Sequence, residues 1–285
     1  MKLVHARGEL SLDRCLVMGI VNRTPDSFYD GGRTGLEESV GHALSLVDEG
    51  ADILDLGAVR AGPGDAVPER VELERLLPLI EALAEAAPVP LSVETGRPAV
   101  ARAAVEAGAA IVNDVTGLKD PELARVCAET GAGLVLMHHG GQLRGRPLNP
   151  RYGDVVAAVI AEWERLASIA AGEGVERDRI VFDPGLDFGK TTFHSLELMR
   201  RLPELTARPE PVLVAASRKD VVGETLGLPP GDRLEGSLAL VALSVLGGAA
   251  VVRVHDVLGS SRAVRMTEAV MGRRAPEAPL RGLWE

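Results

Sequence analysis

The sequence predicts an α/β fold of the TIM (β/α)8 barrel type in a single domain, and three observations lead there. Short runs rich in Val, Ile and Leu alternate with longer Ala/Leu/Glu/Arg segments of helical period, the pattern of repeated β-α units around a parallel sheet. About eight such units can be placed, the number that closes a barrel. No linker, low-complexity tract or charge block breaks the rhythm, so one domain is expected over 1–285, with a lead-in at 1–14, the barrel to about 273 and a tail at 274–285. A doubly wound open sheet is the alternative, but the G-x-G-x-x-G expected after its first strand is absent.

Taken in order, the first strand is LVMGIV (16–21), which opens into the polar stretch NRTPDSFYDGG (22–32). A helix over 36–49 stops at Gly50, where a left-handed residue ends a helix without a Cβ clash. Strands at 52–56, 89–94 and 110–113 alternate with helices at 69–87 and 97–107, the second closed by Gly108. A helix at 121–131 ends on Gly131, and strand 133–138 leads to a helix at 153–173 with Gly172 near its end. Strand 180–183 runs into DPGLDFGK (183–190) before a helix at 194–202; strand 212–216 runs into SRKD (217–220) before a helix at 232–247. Strand 251–254 and a helix at 260–272 complete the set.

Composition narrows the function. A formal net charge of -10 argues against nucleic acid or an anionic membrane as partner, since both usually need a clustered basic face. No apolar run approaches a membrane span of roughly 20 residues, and MKLVHARGELSLDR carries charges where a secretory leader would be apolar, so a cytoplasmic location is expected. Cys15 and Cys127 form no C-x-x-C and predict no disulfide.

In such a barrel the C-terminal strand ends build the active site. They carry Asn22, Thr24, Asp26 and Ser27; Asp55; Glu94 and Thr95; Asn113 and Asp114; His138 and His139; Asp183; Ser217, Arg218 and Lys219; and Arg253, His255 and Asp256. For Asp114, Thr116 and Asp256 the plainer reading is a cap or turn, because such side chains bond nearby free N–H groups. Asp55 fits either reading. Adjacent strand residues point to opposite faces, which argues against a metal site on His138 and His139. Charges in DPGLDFGK and SRKD resist a plain reading, because ionised groups converging on a barrel mouth need opposite charges or a ligand. Lys219, Arg253 and His255 suit an anionic group such as a phosphate; Asp183, Glu94 and Asn113 suit a flat nitrogen heterocycle with several N–H donors.

The stretches GIVNRTPDSFYDGG, GADILDLG, AVEAGAAIVNDVTG, LVLMH, DPGLDFGK, SRKDVVGETLG, RLEGSLA and RVHDV, from about residue 16 to about residue 258, resemble the dihydropteroate synthase family in order and spacing. The resemblance implies a barrel enzyme, usually a homodimer, that joins 6-hydroxymethyl-7,8-dihydropterin pyrophosphate to p-aminobenzoate and releases pyrophosphate with Mg2+. It implies Asn22 for metal and pyrophosphate, with Arg253 and His255 on that anion. Glu94, Asn113, Asp183 and Lys219 would hold the pterin, with Met137 and Phe188 lining its slot. Asp26, Asp183 and Lys219 would act in catalysis. Phe28, Arg60, Ser217 and Arg218 would meet the acceptor, and NRTPDSFYDGG would be a lid freed by its glycine pair.

The pattern departs after the second strand, where GAVRAGPG (57–64) stands for the family's G-G-E-S-T-R-P-G, so Ala61 and Gly62 replace a Thr and an Arg. Glu94 stands where the family has Asp, and Arg23 and Tyr29 alter the first loop. The chain is therefore similar to a divergent second-copy branch. Three functions follow: a working synthase, a transferase with another acceptor or substrate, and a non-catalytic paralogue that binds a pterin or a partner protein. Methyltetrahydrofolate-binding methyltransferases share the barrel but are expected to lack TPDSF.

Overall fold

Eight parallel strands, each inward-facing on alternate residues, close around one apolar interior in the computed structural model, which describes residues 1–23, 35–59, 67–141 and 149–279. Preceding them is an antiparallel hairpin of β1 (Lys2–His5) and β2 (Gly8–Ser11). The barrel strands are β3 (Leu16–Asn22), β4 (Ile53–Gly57), β5 (Leu91–Glu94), β6 (Ile111–Asp114), β7 (Gly133–Met137), β8 (Ile180–Asp183), β9 (Leu213–Val214) and β10 (Val251–Val254). Their order is β8-β7-β6-β5-β4-β3-β10-β9, and a parallel bridge between Phe182 and Val212 joins the two ends. This is the predicted (β/α)8 barrel.

The helices are α1 (Leu36–Asp48), α2 (Glu69–Ala86), α3 (Pro98–Ala107), α4 (Glu122–Thr130), α5 (Val155–Gly172), α6 (Thr192–Arg200), α7 (Leu202–Thr206), α8 (Asp220–Leu226), α9 (Leu234–Leu246) and α10 (Val257–Val270). Two short helices, α7 and α8, were not expected. In α7, Pro203 starts a new turn where one helix over 194–202 was expected to end. The α8 turn is seven residues and too short to show a period. Glycine stops hold at Gly50, Gly108 and Gly131, each with positive φ, whereas α5 runs through Gly172 and Gly174 takes the left-handed turn.

The lead-in is structured as well: Leu3 and Leu12 join Leu16, Met18, Ile53, Ile111, Val135, Val181, Leu213 and Val251 in one buried cluster. The hairpin therefore plugs the bottom of the cylinder. Its apolar residues were invisible as strands because four-residue runs flanked by charges carry little periodic signal. Side chains one residue out of phase, such as Val17, Val21, Leu54, Leu56 and Val93, pack outward against the helices. That alternation sends Asn22, Asp55, Glu94, Asn113, Met137, Asp183 and Arg253 toward the axis at the top. No helix among the described residues is long and apolar enough to cross a membrane.

Candidate functional site

Three strands meet through one arginine. From β10, the Arg253 Nε donates to Asp55 Oδ2 on β4 at 2.6 Å, and its NH2 group donates to Glu94 Oε2 on β5 at 2.6 Å. Asp55 Oδ2 also accepts from Asn113 Nδ2 of β6 at 3.0 Å. Asp55 has no exposed surface, and its Oδ1 has no hydrogen-bond partner among the described residues. Burial raises the Glu94 carboxyl above the usual carboxylate range, with Arg253 pulling it back and Asp55 adding to the rise. Burial works against the Arg253 charge, but Asp55 and Glu94 outweigh it and hold the guanidinium above its ordinary value.

On the opposite side, Asp183 ends β8 and Lys219 precedes α8. Burial raises the Asp183 carboxyl, against the pull of Lys219 and the Gly185 N–H that it accepts at 2.7 Å; burial lowers Lys219, against Asp183 and Asp187. The Lys219 ammonium donates to the Leu186 carbonyl at 2.9 Å and stands 5.0 Å from the centroid of the Phe188 ring, a cation–π distance. Met137 is buried and pairs in register with Asp183. Trp163 of α5 stacks on Phe182 at 4.8 Å between centroids and donates its indole N–H to the Asp183 carbonyl at 3.2 Å, so the strand end is held from behind.

The loop 184–190 is fixed on all sides. Gly185 and Gly189 both have left-handed φ, and a Cβ would lie 2.1 Å from the His138 carbonyl oxygen at the first and 2.6 Å from that of His139 at the second. Only glycine fits there. Lys190, 2% exposed, places its ammonium 2.7 Å from His138 Nδ1 and donates to the carbonyls of His138, Gly185 and Phe188 at 3.1, 2.9 and 2.9 Å. Burial pushes Lys190 down to about 7, and burial with the Lys190 charge pushes His138 down to about 3. His138 is thus the neutral acceptor of a buried lysine. His139 instead accepts from the Gly141 N–H at 3.0 Å, so the two histidines serve different partners.

Asp187, at φ 69, accepts from the Ser195 hydroxyl at 3.1 Å and from the Val221 N–H at 3.0 Å, which ties the loop to α6 and to the first turn of α8. Arg218 is also left-handed at φ 57; its Nε donates to Asp256 at 2.7 Å and its N–H to Ser237 at 2.9 Å. Ser217 Oγ accepts from the His255 N–H at 3.2 Å and lies 3.2 Å from His255 Nδ1. Asp114 Oδ1 and Oδ2 accept from the N–H groups of Thr116 and Leu118, as a turn former does. Asn22 sits at the top of β3 with Oδ1 facing Gly57.

The structure thus brings Asn22, Glu94, Asn113, Met137, Asp183, Phe188, Ser217, Lys219, Arg253 and His255 to one end of the barrel, with Arg218 turned toward Asp256. Asp26, Phe28 and Arg60 lie outside the described residues. Sequence reasoning left Asp55 open and passed over Lys190 and Asp187. Lys190 and Asp187 each had a signal, a charge inside a Gly-rich loop that follows a buried strand. The hub role of Asp55 had none, since it depends on three other strands.

Comparison with known proteins places these observations. The profile of the family described as "Pterin binding enzyme" matches residues 18–255. The chain is 48% identical over 278 residues to "Inactive dihydropteroate synthase 2" of Mycobacterium tuberculosis, covering 95% of this chain and 87% of that protein. The Yersinia pestis dihydropteroate synthase, solved as a sulfonamide drug complex, superposes with a TM-score of 0.91 at 36% identity over 96% of this chain and 100% of that one. The Xanthomonas albilineans dihydropteroate synthase, solved with 7,8-dihydropteroate, gives a TM-score of 0.83 at 42% identity over 92% and 96% of the two chains. This chain belongs to the pterin binding enzyme family, in a divergent dihydropteroate synthase-like branch.

Proposed function

We propose that this chain takes a dihydropterin diphosphate into the mouth of its barrel and acts as a dihydropteroate synthase-like transferase, joining 6-hydroxymethyl-7,8-dihydropterin pyrophosphate to p-aminobenzoate. The observation that carries it is the wall made by Asp183, Lys219 and Phe188: a buried carboxylate for ring N–H groups, a cation beside it and an aromatic face. Asn113 adds a carboxamide and Met137 an apolar floor.

In this reading the bond between the pterin methylene and the diphosphate oxygen breaks, and its electron pair leaves with pyrophosphate. The cation left on the pterin is delocalised, and Asp183, together with Asp26, stabilises it electrostatically. The lone pair of the acceptor amine then forms the new C–N bond, and the amine releases a proton. Arg253 and His255 would meet the departing anion and Ser217 the acceptor, while Arg218 would have to leave Asp256 to join it; Phe28 and Arg60, which the reading also assigns to the acceptor, lie outside the described residues.

Mg2+ belongs to the same proposal. Asn22 offers a single carboxamide oxygen that Gly57, having no Cβ, leaves uncovered; a Cβ there would come within 3.1 Å. One protein oxygen with substrate phosphates suits Mg2+, which keeps much of its water. When bound it would neutralise diphosphate oxygens. A homodimer and a cytoplasmic location complete the reading. The first is supported by exposed Leu243 and Leu246 of α9 and Leu258, Met266 and Val270 of α10.

A second reading, a paralogue that keeps the pocket without making dihydropteroate, is favoured by Ala61 and Gly62 in the second loop. Pyrophosphate release from the dihydropterin substrate with p-aminobenzoate separates the two: turnover supports the synthase, and ligand binding without turnover on any of a panel of aromatic amines supports the paralogue.

A further inference from the structure

Arg253 reaches across the mouth. It leaves β10, passes over β3, and ends between carboxylates on β4 and β5. Two carboxylates on one guanidinium leave the group with an excess negative charge. Asp55 is committed to this arrangement, fully buried and shared with Asn113. Glu94 lies at the open end, 10% exposed at its side chain, and holds Arg253 NH2 at 2.6 Å. Among the described residues, Lys219 is a second cation that acts on Glu94, and Asp55 and Glu72 are anions that act on it.

We infer that Glu94 is a specificity-determining residue that holds down anion binding at the barrel mouth by neutralising Arg253. The inference rests on the reading of the mouth as an anion site. With Glu94 in place, an incoming diphosphate meets a guanidinium whose charge is already more than matched, and it must also approach the spare carboxylate. With Glu94 made neutral, Arg253 and Asp55 remain a one-to-one pair, and Lys219 is no longer opposed from that side. The pair also acts on the pterin wall, since Arg253 bears on Asp183 and both Arg253 and Glu94 bear on Lys219, so the pterin reading is tested on the wild-type chain.

Titration calorimetry of the full chain with inorganic pyrophosphate, for wild type, Glu94→Gln and Glu94→Asp, tests this. Glu94→Gln should tighten pyrophosphate by about tenfold or more, the effect of removing one facing charge at short range. Glu94→Asp, whose carboxylate stops about 1.5 Å shorter and slackens the contact with Arg253, should move affinity the same way by less. It also serves if the Gln variant does not fold. Equal or weaker pyrophosphate binding in the variants, or none in any of them, overturns the inference and makes Glu94 a residue that merely orients Arg253. A parallel titration of the wild-type chain with 6-hydroxymethylpterin keeps the two readings apart. A chain that binds no pterin but gains pyrophosphate affinity in Glu94→Gln sinks the pterin reading alone; one that binds pterin without that gain sinks the Glu94 inference alone.

Discussion

His138 shows how a single side chain is assigned its state by its surroundings. The imidazole is buried with a lysine ammonium on Nδ1, so taking up a proton would set two cations 2.7 Å apart. Its ring should stay neutral in NMR titrations from pH 7.5 to pH 5, with Lys190→Met as the comparison; a titration near the ordinary value of 6.5 contradicts the pairing. The sign for stability follows. Because the folded value is depressed to about 3 and the unfolded chain titrates near 6.5, the unfolded state takes the proton first, and this group's contribution is lost as pH falls through that window. At Lys219 the prediction concerns binding. Lys219→Ala should weaken pterin affinity by about 2–4 kcal/mol, the cost of leaving the facing carboxylate without its partner; unchanged calorimetric affinity contradicts the role given to it. The sequence showed that charges gather at the strand ends, because strand ends can be read from periodicity. It did not show which charges pair, since Arg253, Asp55 and Glu94 are up to 198 positions apart and meet only through strand order.

At the scale of elements, the barrel strands and long helices were legible because each presents a full period. Ends moved where local chemistry intervened. The strand expected from 89 starts at Leu91, after Pro90, and β9 is only Leu213–Val214 where 212–216 was expected. The N-terminal hairpin was hidden for the opposite reason: its role comes from what it covers. Leu3, 1% exposed, closes the lower interior with Leu16, Met18 and Ile111. Leu3→Ala should therefore lower unfolding free energy by about 2–4 kcal/mol in urea denaturation, as for other large-to-small core changes, whereas a loss near zero would show that the hairpin is dispensable to the core. Loop 184–190 is the counterpart at the top. Its backbone is anchored by Lys190, by the Tyr152 hydroxyl on the Gly189 carbonyl at 2.8 Å and by Asp187, which makes it a rigid shelf for Phe188.

The whole molecule has one polar end and one plugged end, and its function depends on the difference. Strand closure carries residues from 22 to 255 into one cup, an arrangement that follows from the (β/α)8 rhythm and was readable for that reason. Beyond the single chain, the apolar residues exposed on α9 and α10 make a homodimer the expected assembly; Leu246→Glu should shift light-scattering mass from dimer to monomer, and a monomeric wild type contradicts that assembly. The most direct test of the account is calorimetric titration of the wild-type chain with 6-hydroxymethyl-7,8-dihydropterin pyrophosphate in the presence of Mg2+. Saturable binding that Asp183→Ala removes is the predicted result, and the absence of binding, or binding indifferent to Asp183, would contradict it.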